Sequence, residues 1–174
     1  MASEAATTAS IKAELVALIP RLRRFGYALT GAMDTADDLA QLTLERALMN
    51  LDKWKPGTRL DSWLFRIAQN AWIDETRMRQ RRGPHLDVDE SHDIAGDDGR
   101  DSAQARLDLA RVRGFIAELP EPQRAVLAMV AIEGLSYQEA ASALDIPIGT
   151  VMSRLARARK ALADRMNGRQ QDHG

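Results

Sequence analysis

Leu135–Lys160 reads LSYQEAASALDIPIGTVMSRLARARK, and this stretch decides the fold of its half of the chain. Ser136 and Glu139 form a capping box, the reciprocal pairing that starts a helix. Asp145-Ile146-Pro147-Ile148-Gly149 breaks that helix, and Thr150 is expected to open the next. Val151, Leu155, Ala158 and Leu162 then recur on one apolar stripe. The same spacing turns Ser153, Arg154, Arg157, Arg159 and Lys160 away from the core. Two helices across a tight turn, the second burying one face and offering arginines on the other, suit a DNA major groove.

Composition bounds the rest. The chain has 174 residues, 45% of them hydrophobic, enough for one large or two small packed domains. It contains no cysteine, which excludes disulfides, thiolate metal sites and a cysteine nucleophile. His85, His92 and His173 are scattered through segments that read as loops and tail, without the spacing of a metal site or a catalytic base. No metal, no cofactor and no catalytic residue is therefore expected. The start MASEAATTAS lacks the basic and apolar regions of a secretory signal, and no apolar run approaches the ~20 residues of a membrane span. The expectation is a soluble cytoplasmic protein with no membrane insertion.

A net charge of −1 argues at first against nucleic acid, but the distribution reverses that impression. Arg77–Arg82 is RMRQRR, and Gly149–Lys160 carries four basic residues and no acid. Between them Asp87, Asp89, Glu90, Asp93, Asp97, Asp98, Asp101 and Asp108 outnumber Arg100 and Arg106. Two basic surfaces flank an acidic connector.

Working outward from the opening stretch, helical periodicity covers Ile11 to about Thr30, interrupted near Pro20, then Asp34–Leu51. A loop around Pro56-Gly57 follows, and Asp61 or Ser62 opens a long helix to Arg82 with Leu64, Ile67, Ala68 and Ala71 at core spacing. Beyond a glycine-containing acidic run, Ala103–Leu119 and Glu121–Glu133 are two more helices. The fold class is all-α: two small helical domains, residues 10–82 and 103–167, joined by a flexible acidic linker at 83–102.

Within the long helix, Trp63, Phe65 and Trp72 precede the arginine cluster. Rings beside basic groups suit unpaired bases and their phosphates. The same rings equally suit the core of a small helical domain. Periodicity leaves both readings open.

Three blocks carry a family resemblance: ADDLAQLTLERAL (Ala36–Leu48), PGTRLDSWLFRIAQNAWIDETRMRQRR (Pro56–Arg82) and LPEPQRAVLAMVAIEGLSYQEAASALDIPIGTVMSRLARARKAL (Leu119–Leu162). In this order and spacing the chain resembles bacterial sigma factors of the sigma-70 family, in the small extracytoplasmic-function (ECF) group that retains regions 2 and 4. The resemblance implies a non-enzymatic subunit that binds core RNA polymerase through the largest-subunit clamp and the flap. It directs initiation at promoters with minus-ten and minus-thirty-five elements, and the group is commonly held by an anti-sigma factor until a stress releases it.

By position, the resemblance places Asp38, Gln41 and Glu45, supported by Asp37, on the polymerase-binding helix. Leu42 departs from the acidic residue usual in relatives. Lys55, Thr58, Arg59, Leu60 and Asp61 fall on the loop that captures a flipped minus-ten base, with Trp63 and Asn70 facing the separated strand. Arg77, Arg79, Arg81 and Arg82 would hold phosphates. In the second helix of the helix-turn-helix, Met152, Ser153, Ala156 and Arg157 would face base edges, and Thr150, Arg154 and Arg159 phosphates. Met152 replaces a common Arg or Lys, removing a possible guanine donor. The acidic connector would thread toward the polymerase's RNA exit path and could shield the basic surfaces of the free chain.

Two other classes compete. A response-regulator type of DNA-binding protein has a similar helix-turn-helix but would carry an α/β receiver or ligand domain where this chain has ADDLAQ and SWLFRIAQN. A nuclease would need a second acidic pair beside Asp37 and Asp38 for two-metal chemistry.

Overall fold

Pro20 sets the first break in the chain. In a computed structural model describing residues 2–82 and 103–168, α1 (Ala2–Ala17) stops at Leu18 and α2 (Ile19–Thr30) carries Pro20 in its opening turn. There the missing N–H leaves no hydrogen bond unmade. Gly31, at φ 78°, ends α2 by returning its N–H to the Tyr27 carbonyl. α3 (Met33–Met49) then folds back along α2, and a single 3-10 turn (Leu51–Lys53) leads into the loop before α4 (Leu60–Arg82).

Apolar residues at helical spacing bring α2, α3 and α4 together. Leu22, Phe25 and Leu29 meet Leu39, Ala40, Leu64, Phe65 and Ala68, all buried. The Phe25 and Phe65 rings stand 4.9 Å apart between centroids. A fully buried Leu or Phe side chain contributes about 1.5–3 kcal/mol, so this layer fixes the direction of α4 and thereby of every polar residue along it. Of the three aromatics in α4, Phe65 and Trp72 are core residues and Trp63 is half-buried.

The second bundle comprises α5 (Ala103–Ala117), α6 (Glu121–Leu127), α7 (Tyr137–Leu144) and α8 (Ile148–Gly168). The helix expected over Glu121–Glu133 does not stay α-helical. It widens into a π-helical turn at Ala128–Ile132, where the Glu133 N–H reaches back to the Ala128 carbonyl. The capping box at Ser136 and Glu139 is present in both directions. α8 opens at Ile148 rather than Thr150, because the Pro147 carbonyl already accepts from the N–H groups of Thr150 and Val151. Asp145, in the left-handed region at φ 53°, closes α7 and makes the turn.

The two bundles pack on one another, and their buried side chains form one continuous apolar core. α2 lies against α5, α6 and the π-helical turn, and α4 against α7. The acidic connector at 83–102 lies outside the described residues, as do His85, His92 and His173.

Candidate nucleic-acid and polymerase surfaces

The residues expected to face the polymerase lie on α3. Asp38, Gln41 and Glu45 are exposed, and the Gln41 amide donates to the Glu45 carboxylate at 3.2 Å. Asp37 is differently employed. It accepts from Arg23 Nε and Nη2 at 2.6 and 3.0 Å, and these bonds raise the arginine's pKa. Asp37 thus ties α3 to α2 as well as bordering the surface. Beside it runs a shallow apolar groove of Ile19, Ala40, Leu44 and Leu48, which charge patterning alone did not reveal. Leu42 packs against the core, so an acid there would carry a desolvation cost in this chain.

Along α4, Trp63, Asn70 and Arg77 recur every seven residues, two helical turns, on one face. Asn70 and Arg77 are exposed, as are Arg79, Arg81 and Arg82 in the last turn. Arg66 also lies exposed one turn beyond Trp63. It is a further cation on the same stripe, absent from the residues the resemblance names but at the i+3 spacing that puts it on Trp63's face. Arg79 pairs with Glu75 at 3.1 Å and lies over the Trp72 ring, 6.0 Å from its centroid.

The loop before α4 splits into two parts. Lys55 and Thr58 are exposed in a turn closed by the Thr58 hydroxyl donating to the Lys55 carbonyl at 2.7 Å. Leu60 and Asp61 are buried, 3% and 8% exposed, and Asp61 is the centre of a charge cluster. It accepts from Arg59 Nη2 at 2.7 Å and Arg21 Nη1 at 2.9 Å. Burial pushes its carboxyl up, but these bonds and the Ser62 N–H outweigh that and hold it below its ordinary value. Leu60 and Asp61 are therefore not open to a DNA strand in this arrangement.

The cluster continues across the bundle boundary. Arg21 Nε and Arg24 Nε reach the Glu133 carboxylate at 3.0 and 2.9 Å, and Arg21 Nη2 also donates to the Glu133 carbonyl at 3.0 Å. The Glu133 side chain is fully buried while the arginines keep one edge in solvent. Arg59 Nη1 meets Glu139, and the Gln69 amide donates to Glu121. Four residues of the first bundle (Arg21, Arg24, Arg59, Gln69) and three of the second (Glu121, Glu133, Glu139) thus join the halves by polar bonds around the apolar contact, with Asp61 holding Arg21 and Arg59 from within the first.

On α8, Val151, Leu155 and Ala158 are buried, and Ser153, Ala156, Arg157, Arg159 and Lys160 are exposed. Met152 is 52% exposed. Thr150 and Arg154 are half-buried at one edge of that face. The Ser153 hydroxyl donates to the Thr150 carbonyl at 3.1 Å. Among the described residues Arg154, Arg157 and Arg159 form no ion pair, which leaves their donors available.

Known proteins share this arrangement. Residues 109–162 match the family model described as Sigma-70, region 4, and residues 15–69 that described as the Sigma2 domain of PhyR. The chain is 36% identical over 156 residues to the ECF RNA polymerase sigma factor EcfG of Rhodopseudomonas palustris, covering 90% of this chain and 84% of that one. Its fold is similar to that of the sigma factor RpoE in complex with the anti-sigma factor NepR from Bartonella quintana, with TM-score 0.75 and 30% identity over 91% of this chain and 97% of that one. CnrH in complex with the cytosolic domain of CnrY is similar at TM-score 0.69 and 26% identity, covering 96% and 95%. With a region-2 bundle and a region-4 helix-turn-helix in the order those relatives have them, the chain belongs to the ECF group of the sigma-70 family.

Proposed function

We propose that this chain is a dissociable, non-enzymatic subunit that brings bacterial core RNA polymerase to a set of promoters in the cytoplasm. The observation that carries the reading is the joint presence of two exposed basic surfaces, the end of α4 and the outer face of α8, on a chain of this family. In this reading residues 10–82 form the polymerase- and minus-ten-binding domain, 83–102 the connector and 103–167 the minus-thirty-five-binding domain. Asp38, Gln41, Glu45 and the apolar groove beside them meet the clamp. Trp63, Asn70 and the arginines of α4 take the separated strand, and α8 enters the major groove.

Opening DNA this way needs no hydrolysis. Unstacking a base costs a few kcal/mol, and a surface that binds the unpaired base better than the paired one offsets that cost by its difference in affinity. An anti-sigma protein is the regulator this reading adds, since the similar RpoE was solved with the anti-sigma factor NepR and CnrH with the cytosolic domain of CnrY. The described residues contain no helix long and apolar enough to cross a membrane.

The test is binding of the purified chain to bacterial core RNA polymerase, followed by transcription from a genomic promoter library. Saturable binding weakened by Asp38→Ala, with starts that share two spaced elements, supports the reading. Absence of core binding together with specific duplex binding by the chain alone would replace it with the regulator class.

A further inference from the structure

The outer face of α8 is divided lengthwise. Ile148, Met152 and Ala156, four residues apart, form an exposed apolar edge, with Ile148 and Met152 at 42% and 52% exposure. Thr150, Arg154 and Arg157 run along the other edge, and Ser153 lies between them with its hydroxyl proton engaged by its own backbone. No acid occurs from Ile146 to Ala163. An apolar edge in the first two turns of a helix is a cost in water. Beside three unpaired arginines, its occupant is a polyanion that also offers apolar groups at fixed positions. Duplex DNA offers one such group in its major groove, the C5-methyl of thymine, and it is the feature that apolar side chains read there.

We propose that Met152, with Ile148 one turn before it, is a specificity-determining contact that reads thymine methyl groups in the minus-thirty-five element. This inference rests on the reading of α8 given above and assigns the chemistry of its base contacts. Met152 has no donor for guanine, and its thioether on three rotatable bonds conforms to a methyl group without demanding one geometry. Arg157 and Arg154 on the opposite edge supply the phosphate and base hydrogen bonds that set register. The helix then selects thymine at the step facing Met152 by burying its methyl, and the position is tolerant of hydrogen-bonding pattern.

The experiment uses holoenzyme assembled from the full chain and bacterial core polymerase. A duplex carrying the upstream element selected from the library is re-synthesised with each of its thymines, on either strand, replaced singly by uracil, which removes only the methyl. Binding is compared at one salt concentration for the native chain, Met152→Ala and Arg157→Ala. At the thymine facing Met152, uracil should weaken the native holoenzyme about threefold to fivefold, the effect of leaving one methyl-sized group unburied. That loss should vanish in Met152→Ala and persist in Arg157→Ala. Met152 is exposed, and an unchanged circular dichroism spectrum and core affinity will show that the variant folds.

Uracil substitutions that are neutral throughout, or equally costly in native and Met152→Ala proteins, overturn the inference while leaving the function standing. A Met152→Ala variant with native DNA binding but weakened capture by an anti-sigma protein also overturns it, since the edge then serves a protein. If the library yields no upstream element at all, the failure belongs to the reading of α8 as a promoter-binding helix.

Discussion

Arg59 Nη1 lies 2.9 Å from each carboxylate oxygen of Glu139. A cation placed by family resemblance on the minus-ten loop is therefore bound to the acid that caps the first helix of the helix-turn-helix. The same guanidinium holds Asp61 through Nε and Nη2, so all its polar edges are occupied within the chain. Glu139 serves two structures at once, since its carboxylate also accepts the Ser136 N–H at 2.8 Å. In this packed form, the loop and the helix-turn-helix restrain each other.

Glu139→Gln separates these roles. Glutamine retains the reciprocal cap but removes the charge that holds Arg59. Both partners are partly exposed, and such pairs are worth about 0–1 kcal/mol. The substitution should leave the melting temperature within ~3 °C of native. It should raise affinity of the free chain for a single-stranded minus-ten oligonucleotide by up to about fivefold, the binding equivalent of 1 kcal/mol. Anisotropy titration of both proteins at one salt concentration checks this. Equal affinities would mean that Arg59 is not withheld from DNA by Glu139.

Glu133 is the stronger tie, because its fully buried carboxylate serves two arginines. Glu133→Gln keeps the shape and removes the charge. Arg21 and Arg24 can rehydrate at their exposed edges, which moderates the penalty of breaking a buried pair to about 1–2 kcal/mol. The expected result is a widened distance distribution between the bundles with helicity retained. The chain has no cysteine, so spin labels at Asp52→Cys and Ala163→Cys, both exposed, report that distance without background.

The pH dependence of folding stability from two of these carboxylates has a determined sign. Hydrogen bonds hold the carboxyls of both Asp61 and Glu139 below their ordinary values, in Asp61 against the opposing effect of burial. Groups depressed in this way bind fewer protons folded than unfolded, so their contribution is complete above the ordinary carboxylate range near pH 4 and falls as pH drops through the folded values. The stability these two groups contribute should be flat from about pH 8 to pH 5 and be lost in acid below about pH 4, read as the melting temperature across that range. A loss centred near pH 6 would assign control to other groups.

The helices were legible because their signals are local. Apolar residues three and four apart, the Ser136–Glu139 box and Pro20 each act within one or two turns. The three-block resemblance placed its candidate residues on those helices, and Asp38, Asn70 and Arg157 are exposed there. The union of the halves was not legible. Arg21 and Glu133 stand 112 positions apart, and nothing in the periodicity of either helix pairs them. Leu60 and Asp61 are buried where α4 begins, with Asp61 held by Arg21 from 40 positions earlier, so a loop that reads as open in sequence is closed at one end in the fold. The start of α8 was displaced by two residues for a simpler reason. Pro147 lacks an N–H but keeps a carbonyl, and that carbonyl begins the hydrogen bonding before the expected cap at Thr150.

Two glycines in helices should respond oppositely to alanine. Gly26 lies where α2 crosses α3 closely, and a Cβ there would stand 3.1 Å from the Ala36 carbonyl oxygen and 3.4 Å from the Ala36 Cα. The obstacle is backbone, which cannot turn aside as a side-chain end can, and the crossing it would widen also holds Phe25 and Leu39 in the core. Overpacking of this kind costs about 1–3 kcal/mol, which exceeds the helix propensity that alanine adds, about 1 kcal/mol. Gly114, on α5, has nothing within 4 Å of its would-be Cβ, so there the propensity gain stands unopposed. At roughly 2–4 °C per kcal/mol for a chain of this size, Gly26→Ala should lower the melting temperature by several degrees and Gly114→Ala should raise it by about 2 °C. A Gly26→Ala variant at least as stable as native would mean that α3 yields at the crossing, and the close approach would then be incidental to the placement of Asp38, Gln41 and Glu45 on α3.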